Sequence, residues 1–201
     1  MRYTGLKRLT QPPVEPVSLA EAKAHIRVDS EADDALVQGL IGTAREWVEN
    51  HLDRTLIRTQ WQMRLDYFPH AITLPRPPFT PEEPLQAVAI TYTDAMGSII
   101  ALPSSQYRVL GDRTPAVVMP PYSGSWPSAR YDSDSITVSW WAGYGPDQNA
   151  IPKPIKHAIL MLVGFWYENR MTLAVGAGIT VTPLGFSVES LLASHKWGSY
   201  Q

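Results

Sequence analysis

Apolar residues recur at two different periods along this chain, and the change of period divides it. Between residues 17 and 54, Leu36, Leu40, Ile41, Ala44, Trp47, Val48 and Leu52 return every three or four positions, as one buried helical face requires. Arg45, Glu46 and Glu49 fall on the other side and are expected in solvent. A shorter helix precedes this one. Ser18 with Glu21 three residues later is a capping-box spacing, and the helix presents Leu19, Ala22 and Ile26 before stopping near Val28. Ser30 and Asp33 repeat the spacing at the start of the longer helix. Two short-linked helices of this kind make an αα-hairpin.

From Gln60 the period shortens to two. Trp61, Met63, Leu65 and Tyr67 alternate with Gln62, Arg64 and Asp66, the pattern of a half-buried strand. Residues 71–74 read as a further short strand. Val88, Ile90 and Tyr92, a turn at Asp94 to Gly97, and residues 99–102 read as a hairpin. Residues 107–110 and 116–119 flank Gly111 and Asp112 as a second hairpin. Ile136, Val138 and Trp140 alternate with Thr137, Ser139 and Trp141 in a last strand. Eleven of the 18 prolines lie between Pro69 and Pro127, which excludes helix there.

The helical period returns after Pro152 and Pro154, tolerated in a first turn. Ile155, Ile159, Leu162, Val163 and Trp166 form a stripe that Leu160, Met161 and Phe165 widen around most of the circumference. Such a helix belongs in a core or against a neighbouring subunit. Beyond Arg170 only Glu189 and Lys196 are charged in 31 residues, with a short helix expected around 187–194. This tail is expected to order on a partner. The expected fold is α+β: an extended arm at 1–16, a helical hairpin at 17–56, an antiparallel β subdomain at 57–148, a core helix at 151–170 and a docking tail at 171–201.

Composition narrows the chemistry. The absence of cysteine excludes thiolate metal sites, thiol nucleophiles and disulfides. Net charge is -2, and residues 17–54 carry eight acidic against four basic side chains, which opposes a grip on a nucleic-acid backbone. With no apolar run of about 20 residues and no leader-like start, a soluble intracellular product is expected. His25, His51, His70, His157 and His195 form no short-range ligand pair, and a polar or boundary role suits the three on helices. Gly143 with Gly145, and Gly176 with Gly178, lack the strand–turn–helix setting of a dinucleotide fingerprint. Asp33 and Asp34 lie where negative charge complements a helix dipole. Tyr122, Trp126, Tyr131, Trp140, Trp141 and Tyr144 could form a sugar-stacking platform, but their strand offers only Thr137 and Ser139 to hold hydroxyls. Inward packing of Trp140 is the better reading.

Taken in order, VSLAEAKAHIRVDSEADDALVQGLIGTAREWVENHLDR, LPRPP, VSWWAGYG, IPKPIKHAILMLVGFWYENR and PLGFSVESLL resemble the head–tail connector (adaptor) proteins of tailed bacteriophages. The likeness is to the longer branch with a β insert, and extends to gene transfer agent adaptors. It implies a homo-oligomeric ring, usually a dodecamer, beneath the portal protein, extending the DNA channel. A head-completion (stopper) or tail terminator protein would bind the opposite face. DNA would pass through the lumen without specific binding, and neither cofactor nor metal nor catalysis is implied. The location implied is the virion neck, with assembly in the host cytoplasm. By position, portal contact falls on Pro183, Leu184, Leu191, Leu192, Trp197 and Tyr200. Trp47, Ile159, Val163, Trp166 and Trp141 are expected at a subunit interface or in the core. A carbohydrate- or host-surface-binding β module and a small hydrolase are the competing readings.

Overall fold

The computed structural model describes residues 3–80, 88–169 and 184–196, the last with side chains from Ser187 onward. Its elements in order are β1 (Gly5–Arg8), α1 (Leu19–Ile26), α2 (Asp34–Leu52), β2 (Thr59–Leu65), β3 (Ile72–Thr73), β4 (Val88–Thr93), β5 (Ile99–Ala101), β6 (Arg108–Leu110), β7 (Val117–Met119), β8 (Ile136–Ala142), α3 (Lys153–Glu168) and α4 (Leu184–Leu192). The fold is α+β, and the chain divides into two compact units: Met1–Pro13 with Ile57–Pro146, and Val14–Leu56 with Asp147–Gln201.

The β unit follows its sequence pattern closely. β2 and β8 are antiparallel, with Trp61 opposite Trp140, Met63 opposite Val138 and Leu65 opposite Ile136. Because side chains alternate across a strand, these matched pairs all face one side, and both strands bury every second residue. The sheet runs β1-β2-β8-β4-β5, and a second sheet runs β3-β7-β6. Both contribute to one core, where Trp61, Met63, Ile90, Val138 and Trp140 meet Ile72, Leu74 and Val118. Asp94 Oδ1 accepts from the backbone N–H of Met96 and of Ser98, which fixes the β4–β5 turn. Gly143 has φ +134°, and a Cβ there would lie 2.5 Å from the backbone nitrogen of Arg58. Only glycine fits that crossing.

Two expectations change here. β2 ends at Leu65, so Tyr67 stands 59% exposed beyond it rather than continuing the buried row. The N-terminal arm is not free: Gly5–Arg8 pairs with β2 as an edge strand, Gly5 opposite Arg64 and Arg8 opposite Trp61. Strand pairing within the chain orders this part of the extended arm.

In the helical unit, α2 and α3 pack together, α1 packs on both and α4 on α3. The capping box forms: Ser18 Oγ accepts from the Glu21 N–H at 3.1 Å, and Glu21 Oε2 accepts from the Ser18 N–H at 2.8 Å. The second box does not form. Ser30 caps a single 3-10 turn at Glu31–Asp33, and Asp33 Oδ2 instead accepts from the Tyr167 hydroxyl at 2.6 Å. Ion pairs Lys23–Asp34 (2.6 Å) and Lys156–Glu21 (2.8 Å) join α1 to α2 and to α3. The core holds Val37, Ile41, Ala44, Val48 and Leu52 against Ile155, Ala158, Ile159, Leu162 and Val163. No helix among the described residues is long and apolar enough to cross a membrane.

Candidate functional site

The residues singled out for contact scatter over several settings. Ile159 and Val163 are fully buried, so they belong to the chain's own core and have no surface to offer a sister copy. Trp166 and Trp47 are half-buried on the helical unit, Trp47 stacked on His51 with ring centroids 5.1 Å apart. Trp141 is half-buried on the β unit, with the Arg58 guanidinium 5.6 Å from its ring. Leu192 is completely buried, like Val188 one turn earlier, so α4 uses this face within its own unit. Leu191 beside it is partly exposed. Leu184 begins α4. Pro183, Trp197 and Tyr200, and the Leu184 side chain, lie outside what is described.

Reading Arg45 and Glu49 as solvent-facing was wrong. They are 5% and 2% exposed. Spacing explains it, because 41, 45, 48 and 52 lie on one helical stripe, and charge alone suggested the other face. Arg45 Nε donates to Glu15 Oε2 at 2.9 Å, and its Nη1 donates to Glu49 Oε2 at 3.2 Å. Glu49 Oε1 accepts from the Leu56 N–H at 2.9 Å. Thus one buried pair on α2 holds the segment entering the helical unit at Glu15 and the segment leaving it at Leu56. Burial works against the guanidinium's charge, but Glu15, Glu49 and Glu46 outweigh it and keep the pKa above its usual value. Arg45 stays cationic at any working pH.

Beside this clamp lies a groove of about 590 Å³ on the helical unit. Its lining is largely apolar, from Val14, Val17, Leu19 and Ile41, with Asp147 and Asn149 on the polar side. The β unit carries smaller clefts: one of about 250 Å³ beside Arg58 and Trp141, another of about 260 Å³ under Tyr67, Trp126 and Tyr131. Trp140 is 1% exposed and packs inward, so it offers no face to a sugar. Among the described residues no cluster of His, Cys, Asp or Glu could hold a metal ion.

Residues 16–100, from the strap before α1 into β5, match the family described as Phage gp6-like head-tail connector protein. The resemblance to the phage head–tail connector family therefore holds. Solved structures share the connector fold over nearly the whole chain. One, "Neck of empty GTA particle computed with C6 symmetry", has a TM-score of 0.76 at 21% identity, covering 96% of this chain and 95% of the other. A second, "Virion of native gene transfer agent (GTA) particle", gives 0.72 at 20% identity over 95% and 94%. A third, "Neck of native GTA particle computed with C12 symmetry", gives 0.66 at 20% identity over 96% and 95%. No curated protein sequence matches the chain.

Proposed function

We propose that this chain is the neck adaptor of a phage or phage-like particle, structural rather than catalytic. Copies assemble side by side into a ring, a dodecamer by family precedent, below the portal. The ring extends the DNA channel and gives a stopper or terminator protein its seat. The DNA passes without specific binding, which suits a helical unit with twelve acidic against eight basic residues. Support comes chiefly from one observation: the family match at residues 16–100 occurs within a fold shared, over 96% of the chain, with a protein in a GTA neck. Portal contact belongs with the charge-poor C-terminal segment, Leu191 included and Leu192 excluded.

The test is to mix the purified protein with the portal protein of the same particle and image the product. Rings seated on portals at a fixed copy number are expected. A protein that never binds portal, yet binds oligosaccharides, would return the function to the competing carbohydrate-binding reading.

A further inference from the structure

The groove on the helical unit has an acceptor-bearing edge, made by Asp147 and Asn149 together with Glu15, which also pairs with Arg45, and none of its lining residues is Lys or Arg. Val14, at 43% exposure, leaves part of the apolar floor open. The β unit has the opposite character, with nine basic against seven acidic residues. Among the described residues its sheet ends at β1. There Lys7 is exposed and pairs with no carboxylate among the described residues. Leu9, two residues on, is 40% exposed. Residues two apart on extended chain share a face about 7 Å apart. An apolar side chain thus stands beside a cation on an edge whose outer backbone groups have no partner strand among the described residues.

We propose that, in the ring, this groove receives the β1 edge of a neighbouring copy, with Leu9 on the apolar floor and Lys7 against the acidic edge. The inference rests on the ring reading and specifies its contact. The two surfaces differ, so the contact is heterologous, as a closed ring of more than two identical subunits requires. Charge complementarity sets the register and opposes self-pairing of two grooves or two edges.

The chain contains no cysteine, so single cysteines report contacts without background. Full-length Gln38→Cys and Gly5→Cys variants, the latter on the same face of β1 with open space for a side chain, are mixed, assembled on portal and treated with a short bismaleimide. Circular dichroism and melting first establish that both fold as the parent does. A covalent dimer is expected in the mixture and not in either variant alone, while Arg113→Cys paired with Gln38→Cys gives none. Lys7→Glu should lower ring yield about tenfold through like-charge juxtaposition, and Asn149→Lys should restore it. Rings that form without cross-linking, or a Gln38→Cys adduct to portal instead, overturn the inference and leave the ring reading standing. No ring on any portal removes both.

Discussion

The two units of this protein obey their sequence patterns to different degrees. In the β unit every inward position of β2 and β8 is buried and every outward one is not. The helical unit breaks its pattern twice: it buries Arg45 and Glu49, and it leaves Leu36 38% exposed and Trp47 half-covered. A segment that satisfies its own pattern acts as scaffold. Departures, where a charge is enclosed or an apolar residue left out, show where something besides core packing sets the residue type. In the helical unit the enclosed charges hold the entering and leaving segments, and Leu36 and Trp47 stay partly uncovered by the chain's own core.

The contrast is most easily broken at the clamp. Arg45→Met should cost about 3–5 kcal/mol in denaturant unfolding, because the buried Glu49 carboxylate then loses its ion pair. Arg45→Met combined with Glu49→Gln should recover part of that loss. If the single variant unfolds like the parent, the buried pair has no structural role. Leu192→Ala comes next, at roughly 2–5 kcal/mol, since its side chain is enclosed by its own unit. A loss of portal binding without any loss of stability would instead return Leu192 to the docking surface.

In the β unit, Gly143→Ala should cost at least about 2 kcal/mol, because both the positive φ and the Arg58 backbone oppose a side chain. A smaller effect is expected with pH. The hydrogen bond from Lys156, followed by that from the Ser18 backbone, lowers the Glu21 pKa from its usual 4.5. The unfolded chain then takes up the proton first as acid is added. The stabilisation is present above the usual value and lost as the pH falls through the depressed one. Glu21→Gln should flatten that acid limb of the stability curve. Smallest of all, Leu36→Lys should leave stability within about 0.5 kcal/mol, as surface changes do. A large loss of stability would mean that Leu36 is core.

Much of the fold was legible because periodicity reports burial directly. The capping box at Ser18, the alternation in β2 and β8, the two hairpins and the stripe on α3 all formed. The failures have physical causes. Arg45 and Glu49 share the buried stripe, but their charge suggested solvent, and their enclosure draws on Glu15, 30 residues earlier, as well as on each other. Asp33 was read as a cap because the partner that claims it, Tyr167, is 134 residues away. The strand at Gly5–Arg8 carries too few apolar residues to signal a strand, and its stability comes from β2. Surfaces for assembly were legible only as excess apolarity, which marks core and interface alike. Ile159 and Val163 proved to be the first kind.

A reconstruction of the neck of the assembled particle tests the central claim most directly. The account predicts density for this chain as a closed ring directly beneath the portal, around the DNA path. Density for it elsewhere on the particle, or a neck complete without it, would contradict the account.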